Sequence, residues 1–188
     1  VDTELYNGTA WTEVNNLNSG RGLAVGAGTV NTAALLTSGR TASQAVYNET
    51  EIWNGTSWTE VNNLNTARYY SSGDGTSTAA ILAGGEPGSG ATADTETWNG
   101  TSWTEVNNLN TARAELTSMG TSAAAIAATG TTATAATVNA ETWNGTSWTE
   151  VNNVNTARTL LAGSGTSTSA IIFGGNPALA ITEAWDGT

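Results

Sequence analysis

The residues of this 188-residue chain that could carry chemistry are carboxylates and arginines, and most of them recur at fixed positions. Nine of the sixteen carboxylates and four of the five arginines belong to such repeated sets. One interpretation is a series of charged rings that line a channel or a ligand site. Because a residue present in every repeat serves what every repeat needs, we instead expect each arginine to pair with a carboxylate of its own or a neighbouring repeat. The repeated residues are Glu4, Glu51, Glu96, Glu141 and Glu183, then Glu13, Glu60, Glu105 and Glu150, and finally Arg21, Arg68, Arg113 and Arg158.

The composition excludes several kinds of active site. Histidine, cysteine and lysine are absent, which excludes thiol nucleophiles, disulfides, imidazole bases and Schiff-base lysines. A Gly-Asp-Gly segment at 73–75 could touch calcium, but it occurs once and lacks the spaced carboxylates of a calcium loop. We therefore expect no enzyme activity, no catalytic residue, no cofactor and no metal site.

The charge and hydropathy of the chain limit its partners. A net charge of −11 disfavours binding to a phosphate backbone, so we expect no nucleic-acid partner. The sequence contains no run of 18 apolar residues, so we expect no membrane insertion.

An internal repeat is the strongest signal in the sequence. The 15 residues at 54–68, NGTSWTEVNNLNTAR, recur unchanged at 99–113. A further copy at 144–158 differs only by Val154, and a looser one occupies 7–21. Each copy contains one tryptophan, and the four tryptophans are spaced by 47, 45 and 45 residues. The chain is therefore built from four units of about 45–47 residues.

Each unit contains four predicted strands, which we name a to d. In the unit after Arg68, strand a is RYYSSGDG, strand b is TSTAAILAGG, strand c is DTETW and strand d is SWTEV. The Asn-Gly-Thr between strands c and d favours a tight turn, because Asn and Gly accept positive φ. The Ala-rich run at 123–128 resembles a helix by propensity, but its alignment with TAAILAGG predicts a strand.

A repeated four-stranded unit of this length is typical of a β-propeller blade. We predict one all-β domain over residues 1–188, with units at 21–65, 66–110 and 111–157 and a composite unit of 1–20 with 158–188. Tryptophan is suited to filling the wedge between blades, so the eight tryptophans and the repeated arginines are expected to be structural. The tryptophans are Trp53, Trp98, Trp143 and Trp185 at the end of strand c, and Trp11, Trp58, Trp103 and Trp148 at the start of strand d.

The order of these residues resembles the kelch family of β-propellers. The kelch pattern has a Gly-Gly after one strand, an aromatic before a turn, a tryptophan opening the next strand and then an arginine. It is matched here by Gly84 and Gly85, Trp98, Trp103 and Arg113. Two units depart from it, with Ser-Gly at 38–39 and Thr-Gly at 129–130. The near-identical copies also look like repeat proteins of marine phages and bacteria.

The resemblance implies a fold more than a function. Kelch propellers serve as binding platforms, as structural parts and occasionally as enzymes. Kelch-type oxidases hold copper through histidine and tyrosine ligands, and this chain has no histidine.

The termini predict how the ring closes. Residues 2–8 align with strand c, so we predict a four-bladed ring in which N-terminal strands c and d pair with C-terminal strands a and b. A second strand c at 181–188 is then surplus. It could pack outside the ring or displace the N-terminal strand, the chain could be part of a longer array, or two chains could share strands.

Variation between copies indicates where a ligand could bind, because loops on a rigid scaffold commonly carry binding residues. The units differ mainly between strands b and c and in strand a. The candidate ligand-binding residues are Arg40, Tyr47, Tyr69, Tyr70 and Glu86. The alternative is that these segments are connecting loops under little constraint, which would vary between copies in the same way.

We expect a non-enzymatic structural or adhesive propeller, located on an extracellular or virion surface such as a phage appendage or a bacterial surface. Its partners would be copies of itself or other structural proteins, reached through strand exchange or loops. The alternative is a carbohydrate-binding propeller whose repeated shallow sites bind glycans with avidity.

Overall fold

The computed structural model describes residues 2–188, and the regular structure in that range is entirely β. This range includes no helix that could cross a membrane. The strands are β1 (Thr3–Tyr6), β2 (Trp11–Val14), β3 (Val25–Val30), β4 (Ala33–Thr37), β5 (Thr50–Trp53), β6 (Trp58–Val61), β7 (Ser72–Thr76), β8 (Ala79–Ala83), β9 (Thr95–Trp98), β10 (Trp103–Val106), β11 (Thr117–Gly120), β12 (Ala125–Ala128), β13 (Ala140–Trp143), β14 (Trp148–Val151), β15 (Ala162–Thr166), β16 (Ser169–Phe173) and β17 (Thr182–Trp185).

The strands form antiparallel sheets in the predicted order a-b-c-d. We call β3–β6 the first blade, β7–β10 the second, β11–β14 the third and β15–β17 the fourth, while β1 and β2 form the N-terminal hairpin. The prediction of an all-β, four-bladed propeller of antiparallel sheets is confirmed; three blades have the predicted four strands, and the described residues give the fourth blade three. The Ala-rich run contributes β12, so the strand prediction there is also correct.

The c–d turns form for the reason that their sequence suggests. In the second blade the Asn99 side-chain oxygen accepts hydrogen bonds from the backbone N–H groups of Thr101 and Ser102, both at 2.9 Å. Gly100 between them has a φ of 92°, which a residue with a Cβ rarely adopts. This turn sets the register that brings Trp98 opposite Trp103, with ring centroids 5.5 Å apart.

Neighbouring blades pack through one kind of interface. Leu35 of the first blade contacts the cluster that contains Leu82 and Trp98 of the second blade. The strand-d tryptophan also reaches back to the preceding blade, since Trp103 Nε1 donates to Thr50 Oγ1 at 2.9 Å. The equivalent bond from Trp148 to Thr95 is 3.0 Å. Each blade thus buries its apolar face only because another blade covers it.

The departures from the double glycine leave the backbone unchanged. Ser38 and Thr129 each have a φ of 62°, close to the 64° of Gly84 at the same repeat position. The glycine that follows donates its N–H to the carbonyl of the next repeated arginine, as Gly39 does to Arg68 at 2.8 Å. Tertiary contacts therefore hold Ser38 and Thr129 in the left-handed conformation, in which the kelch pattern has a glycine.

The predicted pairing of the two termini is wrong. Strand β16 pairs with β17, in the register Ala170 to Trp185, rather than with β1. The hairpin instead packs on the first blade, where Trp58 Nε1 donates to Thr3 Oγ1 at 3.1 Å. Both β1 and β17 carry strand-c residues, but β17 is linked to β16 by the short loop 174–181, so its pairing costs less loop-closure entropy.

A matched pair of glycines tests this arrangement. Gly26 and Gly73 are equivalent strand-a residues with φ outside the left-handed region. A Cβ at Gly73 would collide with the carbonyl oxygen of Ile81 and lie 3.1 Å from Val25 Cγ1. A Cβ at Gly26 would have only the Leu35 carbonyl oxygen nearby, at 3.9 Å. We expect Gly73→Ala to lower the free energy of unfolding by about 1–3 kcal/mol. Gly26→Ala should be tolerated, and urea denaturation of both variants checks this; equal losses would contradict it.

Candidate functional site

The repeated arginines form buried ion pairs, as predicted. Each pairs with the strand-c glutamate of the blade that follows it in the chain, and the arginine side chains are fully buried. The pairs are Arg21–Glu51 at 3.1 Å, Arg68–Glu96 at 2.8 Å, Arg113–Glu141 at 2.9 Å and Arg158–Glu183 at 3.0 Å.

Each pair is the centre of a clamp between two blades. Glu96 accepts hydrogen bonds from Arg68, from the backbone N–H of Asn65 at 2.9 Å and from its side-chain amide at 2.8 Å. Burial lowers the pKa of Arg68, and the charge of Glu96 opposes that effect. The clamp fixes the segment leaving the first blade onto strand c of the second. The charges of Arg68 and Glu96 are therefore paired with each other inside the fold.

A cation–aromatic cluster lies at the end of the propeller that carries the b–c loops, which we call the loop face. Cζ of Arg40 is 4.3 Å from the ring centroid of Tyr69 and 5.6 Å from that of Tyr70. The two tyrosine rings are 5.0 Å apart and tilted by 47°. Both distances from the guanidinium lie within the range of a favourable cation–π contact. The first blade's b–c loop and the start of the second unit are thereby joined.

Glu86 completes this cluster from the next b–c loop. Its backbone exchanges two hydrogen bonds with that of Tyr69, at 2.8 and 3.1 Å. Burial raises the pKa of the Tyr69 phenol, Glu86 adds to that rise, and Arg40 opposes it. Tyr69 is buried, while Arg40, Tyr70 and Glu86 remain partly exposed. The structure thus brings four of the five predicted loop residues together.

The fifth predicted residue, Tyr47, has a different neighbour. Its ring centroid lies 5.7 Å from Cζ of Arg21, and its backbone bonds to Gly39 and Arg68. Tyr47 therefore packs against the linker that enters the first blade.

An axial pocket of about 280 Å³ opens beside the cluster. Four residues form its rim, one from each blade, and each follows a repeated arginine by two positions. All four have a positive φ between 52° and 57°. The backbone N–H of Glu115 donates to the Tyr70 carbonyl at 2.8 Å, and that of Leu160 to the Glu115 carbonyl at 3.0 Å. The rim residues, one from each blade, are Leu23, Tyr70, Glu115 and Leu160.

Sequence reasoning identified only Tyr70 among these rim residues. The signal that could have found the other three is positional, because every rim residue lies two positions after a repeated arginine. One aromatic ring, one carboxylate and two exposed leucines make this rim chemically asymmetric.

The Gly-Asp-Gly segment has a structural role. Asp74 accepts hydrogen bonds from the backbone N–H of Gly75 at 2.7 Å and of Gly120 at 2.9 Å. It therefore joins the inner strands of the second and third blades. Within residues 2–188 the structure contains no group of three acidic side chains arranged to hold a metal ion.

The clamp can be tested in the second blade, where the structure supplies a matched control. Glu96→Gln leaves Arg68 buried without a counter-charge, so we expect a loss of about 3–5 kcal/mol in the free energy of unfolding. Glu105 lies directly opposite Glu96 in β10 but is exposed, and Glu105→Gln should change stability little. Chemical denaturation measures both, and equal effects would refute the clamp.

The environment of Tyr69 predicts its titration. Because its pKa is raised in the folded protein, the neutral phenol contributes to stability below the ordinary tyrosine pKa of about 10. That contribution is lost as the pH rises further. In a spectrophotometric titration we expect one of the four tyrosines to ionise later than the others, and Tyr69→Phe to remove that component. A late component that persists in Tyr69→Phe would contradict this assignment.

Comparison with protein-family models gives no match to the chain, and comparison with curated protein sequences gives none either. The four-bladed propeller is consistent with a kelch-like repeat protein.

Proposed function

We propose that this protein is a non-enzymatic, kelch-like structural or adhesive module whose loop face contacts its partners. A propeller fold fits an interaction module. The observation that carries the proposal is the convergence of Arg40, Tyr69 and Tyr70 beside the axial pocket. These residues occur in one copy each, so they distinguish the loop face from the repeated scaffold beneath it.

The scaffold supports a binding role because its repeated arginines and their strand-c glutamates are paired with each other. Glu96 and Glu141 each bind a fully buried arginine, so these carboxylates serve the fold rather than a reaction. The strand-d glutamates are exposed and lie along the blade edges, away from the axial pocket. The rim of that pocket supplies one carboxylate, Glu115, beside apolar side chains.

The setting that we propose is an extracellular or virion surface, such as a phage appendage or a bacterial surface. Sixteen acidic residues and no lysine suit a saline exterior, where dissolved ions screen the repulsion between like charges. The partners would be structural proteins, including copies of the same chain.

A carbohydrate ligand is the second candidate. Tyr70 and Glu115 line the same pocket, which places an aromatic ring and a carboxylate acceptor within one concave site. A sugar presents both apolar C–H faces and hydroxyl donors, so such a site has the required chemistry.

A paired experiment distinguishes the two candidates. The protein is applied to a glycan array and, immobilised on beads, to intact bacterial cells. We expect adhesion to cells without glycan binding, and about tenfold weaker adhesion for Tyr70→Ser than for the exposed control Glu105→Gln. Glycan binding that Tyr70→Ser abolishes would favour the carbohydrate ligand. Adhesion that is equal in both variants would refute the loop face as the contact surface.

A further inference from the structure

We propose that the axial pocket takes a lysine side chain of a different protein, whose ammonium pairs with Glu115 while its alkyl stem packs on Tyr70 and Leu116. This inference rests on the function proposed above and deepens it, because it names the chemistry of the partner at the same pocket.

Glu115 supplies the pocket with a negative charge that the fold does not use. It lines the pocket and is partly exposed. Its backbone bonds to Tyr70 and Leu160, whereas its carboxylate forms no hydrogen bond or ion pair with any of residues 2–188. A carboxylate in a concave site without a counter-charge favours a cationic ligand.

The cations of the chain itself are committed elsewhere. Four of its five arginines are fully buried in ion pairs with strand-c glutamates. The fifth, Arg40, lies against the rings of Tyr69 and Tyr70 rather than pairing with Glu115. The sequence contains no lysine. A copy of this chain therefore cannot supply the ammonium, and the partner is a different protein.

The walls of the pocket suit a long alkyl stem. Leu116 is 6% exposed and lines the pocket beside Glu115, and Tyr70 lines it from the preceding blade. A lysine side chain buries its methylene groups on apolar surface of this kind while its charged end stays at the edge. Aromatic stacking favours a guanidinium, but the tyrosine rings already carry that of Arg40. The lining therefore favours lysine over arginine.

The rim holds these groups in place before a ligand binds. The backbone N–H of Glu115 donates to the Tyr70 carbonyl at 2.8 Å, and the Glu115 carbonyl accepts from Leu160 at 3.0 Å. Tyr70 and Glu115 begin the second and third blades, and each of these has a neighbouring blade on both sides. Because the site is rigid, binding orders little of the propeller and a single side chain can be held.

A matched pair of ligands and a matched pair of variants test the inference. The net charge of −11 attracts any basic peptide, so the test must separate the pocket from the overall charge. The ligands are a capped Gly-Lys-Gly peptide and the same peptide with its lysine acetylated, which removes the charge and keeps the stem. The variants are Glu115→Gln and Glu105→Gln, which change the net charge equally, and Glu105 is exposed outside the pocket.

Binding is measured by NMR titration of the isotope-labelled full chain. We expect the lysine peptide to bind the natural sequence and Glu105→Gln with the same Kd, and Glu115→Gln about tenfold more weakly. The acetylated peptide should not bind. Failure of the lysine peptide to bind, or equal weakening in the two variants, would overturn the inference.

A third variant tests the apolar wall. Tyr70→Ser keeps every charge and removes the ring on which the stem packs, so it should also weaken binding of the lysine peptide. An unchanged Kd would overturn the placement of the stem. A capped Gly-Arg-Gly peptide that binds more tightly than the lysine peptide would overturn the choice of lysine.

Failure of this inference is distinguishable from failure of the proposed function. Lysine binding that Glu115→Gln weakens, in a protein that does not adhere to cells, would refute only the adhesive function. Adhesion that Tyr70→Ser weakens, in a protein that does not bind the lysine peptide, would refute only this inference. Glycan binding in that protein would assign the pocket to a sugar instead.

Discussion

A buried pair between a repeated arginine and a strand-c glutamate holds each blade on the element that precedes it in the chain. Removing two charges from water is costly, and the pair is stabilising only when the remaining donors and acceptors are also satisfied. Glu96 accepts from Arg68 and twice from Asn65, whereas Nε and Nη2 of Arg68 lie buried without a hydrogen-bond partner. Because Asn65 and Arg68 lie in the segment between two blades and Glu96 lies in strand c of the second, the pair fixes each new blade on the previous one.

The interfaces between blades follow from that fixed placement. One blade offers aliphatic side chains of strand b, and the next offers its own strand b together with the tryptophans of strands c and d. The interface is repeated from blade to blade, so its two halves are complementary wherever they occur. The outer halves on the N-terminal hairpin and the fourth blade have no described neighbour to cover them.

The loop face differs from the scaffold because its residues are not repeated. Arg40 comes from one b–c loop, Tyr69 and Tyr70 from the following linker, and Glu86 from the next loop. The rigid ring brings these separate segments into contact, and the cation–aromatic contacts hold their side chains in place. Tyr70 also belongs to the axial rim, so the cluster and the pocket form one continuous surface.

The period, the strand order and the existence of the ion pairs could be predicted from the repeats alone, because turn residues, β-branched residues and paired charges recur in every unit. It did not determine which glutamate pairs with each arginine. Glu96 and Glu105 face each other across β9 and β10, and only the packing of a neighbouring blade buries one of them. The tertiary structure likewise decided that Trp11 is exposed and that β16 selects β17. Both outcomes depend on which blade lies next to a given surface, and identical repeats carry no information about their neighbours.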